Sequence, residues 1–291
     1  MAAPMHTWFS AALAAVTLTA TTVAQDAEHR IVSVGGDVTE IVYALGYGDR
    51  IVATDSTSVW PPEARDTPKV GYVRGLAAES VLSLSPTLLI LGGAAGPEEV
   101  VDQLRAVGLD MVELDSSYTV DSVRHKVEQV ADALGEGTRG EEIIAQIDAD
   151  WAEAQAVIAG IEGRPRALFF ASMGDGGPRS AGAGTAAHGV MEALGVENLF
   201  ADQQAYQALS TEAAVAANPD VIFAMSHNVE AMGGIEAVAA DPAIALTDAG
   251  RNLRIIAVDS VRVMSFGPRF AEGMLEVARD LDAVLEPEAI Q

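Results

Sequence analysis

The sequence predicts an α/β fold of two Rossmann-like α/β lobes joined by one long linker helix, with a ligand cleft between the lobes. Three observations predict it. Short apolar strands alternate with helix-period segments in both halves of the chain, which implies parallel sheets covered on both faces. One helical segment near the middle is far longer than its neighbours. A pattern from the first half returns in the second half in the same order.

The first lobe is expected over residues 25–135. It opens with RIVSVGGDVTEIVYALGYGDRIVATD. Ile31 to Val34 is a short apolar strand, Gly35-Gly36-Asp37 a turn, and Asp37 or Thr39 a candidate cap for a helix carrying Ile41, Val42 and Leu45. Gly46 ends that helix, and Ile51 to Ala53 begins the next strand. In VLSLSPTLLIL (residues 81–91) a helix ends, Pro86 breaks the chain and a buried strand follows. Pro97 opens a helix through Val107 with Gly108 at its end. Met111 to Leu114 is a further strand.

The linker is expected over residues 136–162. Ile143, Ile144, Ile147, Trp151, Ala154 and Ile158 recur at helical spacing through 138–160, a helix of roughly 33 Å. Gly160 and Gly163-Arg164-Pro165 end it. The second lobe, residues 163–291, starts with a strand at Ala167–Ala171. SMGDGGPRSA (172–181) then reads as a loop.

The repeated pattern is specific in spacing. Leu76, Glu79 and Pro86, followed by Leu88-Leu89-Ile90, are matched by Leu209, Glu212 and Pro219, followed by Val221-Ile222-Phe223. Ala44-Leu45-Gly46 is matched by Ala193-Leu194-Gly195. Two similarly built lobes on a stiff helix make a cleft, and such clefts bind small ligands.

Composition narrows the function classes. The 291 residues, 49% hydrophobic and 20% charged, suffice for two cores. A formal net charge of −25 opposes binding to nucleic acid or anionic membranes. The chain has no cysteine, which excludes disulfides, thiolate metal sites, a cysteine nucleophile and a lipid-modified cysteine. Residues 1–24 read as an export signal: 8–20 are apolar and small, and Thr22-Val23-Ala24 precedes Gln25 as a cleavage point. The n-region lacks Lys and Arg and offers only His6. Export to a periplasm is expected.

No enzyme signature is present. GxSxG, GxxxxGK[ST], HExxH and HxH are all missing, and the five histidines are scattered without zinc spacing. Gly182-Ala-Gly184-Thr-Ala-Ala187 matches GxGxxA, but the loop before it breaks the tight strand–turn–helix geometry of a dinucleotide site. A loop entering a helix at Thr185 is the simpler reading, and its N–H groups suit a carboxylate.

One short stretch raises a different chemistry. KVGYVRGLAAES (69–80) places Tyr72 near Arg74 in a Gly/Pro-rich setting that suits a cleft edge. The plain reading is an edge tyrosine beside a solvated arginine. The sharper one is a phenolate ligand, because Fe(III) is a hard cation and tyrosine is a known axial ligand of haem iron. A free phenol has a pKa of about 10; Fe(III) and a nearby cation such as Arg74 both favour the anion. Arg74 also suits a propionate, bidentate through its guanidinium.

The blocks RIVSVGGDVTEIVYALGYGDRIVATDSTSVWPPEA, PKVGYVRGLAAESVLSLSPTLLIL, SAGAGTAAHGV and LTDAGRNLRIIAVD together resemble the periplasmic haem-binding proteins of bacterial haem ABC importers. They belong to a helix-linked class that also holds cobalamin and ferric-siderophore binders. The resemblance covers nearly the whole mature chain. It implies ferric haem as transported ligand, Tyr72 as its iron ligand, and no catalysis. It implies that Glu79 and Glu212, one per lobe, dock on arginines of the permease that works with an ATPase; each alone also reads as a solvated helix carboxylate. Family members often carry an arginine in the second lobe where this chain reads Ser226-His227-Asn228. His227 is the nearest polar substitute, His188 another candidate ligand, and Arg179 a candidate propionate contact. A monomer with small lobe motion is expected. The rivals are a binder of cobalamin or a ferric siderophore, and an enzyme on the same frame.

Overall fold

The computed structural model describes residues 29–172 and 176–286. The export signal expected at 1–24 lies outside the described residues. The first sheet is built from β1 (Ile31–Val34), β2 (Ile51–Thr54), β5 (Leu88–Leu91) and β6 (Met111–Glu113), all parallel, in the order β2-β1-β5-β6. Between them run α1 (Gly36–Ala44), the hairpin of β3 (Gly71–Tyr72) and β4 (Gly75–Leu76), α2 (Ala78–Leu82) and α3 (Glu98–Ala106). The central strands β1 and β5 are buried on both faces because helices cover both. The order reverses between β1 and β5, so a crevice opens beyond their carboxyl ends.

Two helices bridge to the second half: α4 (Val120–Leu134) and α5 (Gly137–Ile158). The 22 residues of α5 span roughly 33 Å. The expected linker helix is therefore present, but it is not a free strut. Its Ile147 and Ala154 are buried against α4 and the closing helix α11 (Phe270–Leu285).

The second sheet has the order β10-β8-β7-β11-β12, with β9 also paired to β7. Its strands are β7 (Arg166–Ser172), β8 (Pro178–Ala181), β9 (Glu197–Asn198), β10 (Tyr206–Ala208), β11 (Val221–Met225) and β12 (Ile255–Val258). β9, β11 and β12 run parallel within the sheet; β8 is antiparallel to β7 and β10. Helices α6 (Ala186–Ala193), α7 (Thr211–Ala217), α8 (Ser226–Met232), α9 (Ile235–Ala239) and α10 (Asp248–Arg251) complete the lobe. The described part of the stretch expected as a loop at 172–181 is mostly β8, so Arg179 is a strand residue.

Strand alternation sorts the core into three clusters. Ile31 and Ile90 of the first sheet, and Phe169 and Phe223 of the second, face one shared core with α4, α5 and α11. Val32, Val34, Leu89 and Leu91 face an outer core of the first lobe. Leu168, Phe170, Ile222 and Ala224 face that of the second. The two lobes thus share a continuous interior rather than touching only through a linker. Phe266 and Phe270 stack at 4.3 Å between ring centroids within it.

Neither Asp37 nor Thr39 caps α1 as the sequence suggested. Its N-cap is Gly35, with no side-chain cap. The Thr39 hydroxyl is taken up in a buried chain with Ser33 and Ser58, and Asp37 turns to Lys126. Gly35 has φ of 119°, and a Cβ there would lie 2.7 Å from Asp37 Oδ1, so the turn requires glycine.

The repeated pattern extends to the backbone. Glu79 and Glu212 fall in the first turns of α2 and α7. Each helix is followed by a non-glycine residue of positive φ, Ser85 at 47° and Asn218 at 40°, just before the proline. A buried strand then enters the sheet in each lobe.

Candidate functional site

A cleft of about 670 Å³ lies where the carboxyl ends of the two sheets face each other. The first lobe supplies the turns after β1 (Gly35 to Asp37), β5 (Gly92 to Ala94) and β6 (Asp115 to Tyr118). The second supplies Met225 at the end of β11, His227 after it, and Ser260, Val261 and Met264 after β12. This placement follows from the topology, since ligands in open α/β sheets bind beyond the strand ends at the switch point. Volume alone does not select it. A hollow of about 700 Å³ near the end of α5 is as large, but it is lined by Glu162, Asp220, Asp282 and Glu286 and has no aromatic wall.

The β3–β4 hairpin forms one edge of the cleft. Tyr72 stands opposite Gly75 in its register and is 54% exposed, so its phenol is open to a ligand. Val73 is buried and anchors the hairpin to the outer core of its lobe. Arg74 is exposed, and both Tyr72 and Arg74 line the cleft. The Arg74 guanidinium favours the phenolate of Tyr206 in β10. Burial nevertheless dominates at Tyr206 and, with Tyr118 nearby, pushes its phenol up to about 12.

Across the cleft His227 lines the wall, its Nδ1 3.2 Å from Ser260 Oγ. Met225, Met264 and Val261 supply apolar surface beside it, and Trp60 and Tyr118 supply aromatic surface from the first lobe. The thioethers are soft and conform to a flat ligand.

Two sequence-predicted contacts are not brought to the cleft. His188 is held within its own lobe: Asn198 Nδ2 donates to its Nδ1 at 3.0 Å, and its Nε2 lies 3.5 Å from Glu192 Oε1. Arg179 is fixed along β8, where Nη1 donates to the Tyr206 carbonyl at 3.2 Å. Neither residue lines the cleft. Glu79 and Glu212 are exposed on helices outside it. At Glu212 a backbone N–H and the Ser210 hydroxyl lower the carboxyl pKa, which preserves its charge.

The floor carries residues that sequence reasoning missed. Lys126 of α4 is almost wholly buried, yet its Nζ donates to Asp37 Oδ2 at 2.8 Å and to the Phe266 carbonyl at 2.7 Å. Glu40, also buried, accepts from Arg269 Nε at 3.0 Å and Nη2 at 2.9 Å. Burial raises its pKa against the pull of that guanidinium. Arg269 lies 4.2 Å over the Trp60 ring. These contacts join α1 to the segment before α11 and hold the lobes together beneath the cleft. No local pattern reveals them, because the partners lie 89 to 229 positions apart.

Among the described residues no three His, Asp or Glu side chains converge as a metal site, and no helix is long and apolar enough to cross a membrane. The cleft thus combines apolar and aromatic walls with the exposed cation of Arg74 at its edge.

Comparison with known proteins agrees with this architecture. The chain is 37% identical to the periplasmic heme-binding protein RhuT from Roseiflexus sp. RS-1, with a TM-score of 0.82 over 89% of this chain and 100% of that one. It is 33% identical to the periplasmic heme-binding protein BhuT in complex with two hemes, with a TM-score of 0.83 over 88% and 99%. It is 25% identical over 207 residues to the vitamin B12-binding protein of Vibrio parahaemolyticus, covering 71% of this chain and 74% of that one. Residues 31–261 match the periplasmic binding protein family. With its two lobes, its bridging helix and its cleft at the strand ends, the chain belongs to the periplasmic binding protein family.

Proposed function

We propose that this protein binds ferric haem in the interlobe cleft, with Tyr72 as axial oxygen ligand, and delivers it from the periplasm to an ABC permease and its ATPase. The observation that carries the reading is the placement of Tyr72: an exposed phenol on a hairpin at the edge of a cleft walled by apolar and aromatic side chains. The residues fit the ligand. The volume is in the range of small-molecule sites, and methionine and aromatic surfaces suit a porphyrin face.

Binding of Tyr72 Oη to Fe(III) releases the phenol proton, and the neighbouring Arg74 favours the resulting anion. Arg74 is also free to meet a propionate. His227, oriented by Ser260, is the second-lobe group that reaches the ligand from the other wall. His188 and Arg179 take no part in this scheme, since both are engaged elsewhere. The protein acts as a monomeric carrier exported by the leader at 1–24. Glu79 and Glu212 meet basic residues of the permease, one on each lobe.

A second reading, a cobalamin carrier, is favoured by the vitamin B12-binding relatives. Parallel absorbance titrations of the signal-free protein with ferric haem, cyanocobalamin and ferric siderophores separate the two. Saturation by haem alone supports the proposal. Saturation by cobalamin without haem binding overturns it.

A further inference from the structure

The docking helices carry more than their glutamates. In α2, Glu79 is exposed, Val81 is fully buried and Leu82 is 37% exposed. In α7, Glu212 is exposed, Ala214 is fully buried and Val215 is 41% exposed. Both helices are entered from a buried leucine, Leu76 and Leu209 respectively. The same register therefore presents a carboxylate and, three positions on, a large aliphatic side chain in water. Residues at i and i+3 lie on one face of a helix. Neither aliphatic residue belongs to the three buried core clusters, although each follows a core residue directly. Single exposed aliphatic residues are ordinary on a surface. Their recurrence at the same place beside the same acidic residue in two lobes of different sequence is not accounted for by folding, because a polar residue there would fold as well.

We infer that each lobe presents a two-part knob, Glu79 with Leu82 and Glu212 with Val215, and that the partner offers two equivalent sockets in which a cationic side chain borders an apolar pocket. This rests on the docking role proposed above for the two glutamates and adds the residues that hold the complex once charge has brought it together. The chemistry divides in a known way. Exposed carboxylates on a chain of net charge −25 speed the approach to a basic surface and set the dependence on salt. Desolvated aliphatic side chains slow dissociation and contribute little salt dependence. The occupant is therefore a protein with paired basic and apolar sites of two-fold or pseudo-two-fold arrangement, as a permease of two like halves provides, rather than a lipid surface.

The test uses the full mature protein and the permease–ATPase complex of the same organism's haem importer in lipid nanodiscs. Affinity is measured at low and high salt for the parent, the double variant Leu82→Ser with Val215→Ser, and the double variant Glu79→Ala with Glu212→Ala. Haem titration checks that each variant keeps its ligand site and fold. The expected result is a loss of about ten-fold for the serine pair, mainly in dissociation rate, with an unchanged salt slope. The alanine pair should weaken binding mostly through association and flatten the salt slope. Parent-like dissociation of the serine pair, with the alanine pair impaired, overturns the two-part knob and leaves the docking glutamates standing. If neither pair alters binding, the docking role itself falls and this inference with it.

Discussion

Lys126 and Asp37 form an ion pair of 2.8 Å at the floor of the cleft, and the same ammonium donates to the Phe266 carbonyl at 2.7 Å. One buried cation thus ties α1, α4 and the segment before α11. Removing one partner of a buried pair leaves the other charge uncompensated. Lys126→Ala is expected to lower the unfolding free energy by about 3–5 kcal/mol. Urea denaturation of the mature protein measures it, and a loss below about 1 kcal/mol would show that water replaces the ammonium without penalty.

Glu40 and Arg269 form the companion pair between lobes. With the shared core and α5, they leave little freedom for hinge closure. Small-angle scattering with and without haem is expected to show the same radius of gyration within error. A measurable contraction would mean that these pairs open on loading.

Gly189 of α6 packs against the turn after β6. A Cβ there would lie 2.6 Å from both Cβ and the carbonyl oxygen of Tyr118. Gly189→Ala should therefore destabilise by about 1–3 kcal/mol despite the better helix propensity of alanine. Thermal unfolding gives the number. A stabilised variant would show that the lobes separate there at little cost.

Tyr206 gives a pH signature. Its phenol is pushed up to about 12 in the folded protein, against about 10 unfolded. The native state therefore holds this proton longer than the unfolded chain. The contribution is fully present below pH ~10 and is lost as pH rises to ~12. Across that window the advantage of the parent over Tyr206→Phe should shrink by about 2 kcal/mol. Denaturant titrations of both proteins at intervals through the window test this. Parallel curves would contradict it.

Some of this was legible in the sequence and some was not, for physical reasons. LLIL at 88–91 and the apolar periodicity of 138–160 announce a buried strand and a long helix, because burial on both faces or on one stripe leaves a local pattern. The recurrence of Leu, Glu and Pro announced two lobes, and the structure carries it down to the positive φ of Ser85 and Asn218. GGPRSA concealed β8, since glycine and proline read as turn residues whereas an antiparallel strand near the sheet edge tolerates them. That error placed Arg179 in a loop. Lys126 was hidden because a lysine on an apolar helix face is legible only through Asp37, 89 positions away. Tyr72 and Arg74 stand out in the sequence by their chemistry and His227 by occupying a place expected to be polar, and all three line the cleft. His188 was misplaced because nothing local to it names Asn198 as its partner.

If Tyr72 holds the iron of ferric haem, as proposed above, its removal must change the spectrum of the complex. An absorbance titration of the signal-free protein with ferric haem, run beside Tyr72→Ala, reads this out. Saturable binding with a high-spin ferric spectrum and a tyrosinate charge-transfer band, both lost in the variant, is the expected result. A low-spin spectrum unchanged in the variant would assign the iron to a histidine rather than Tyr72, with His227→Ala the next comparison.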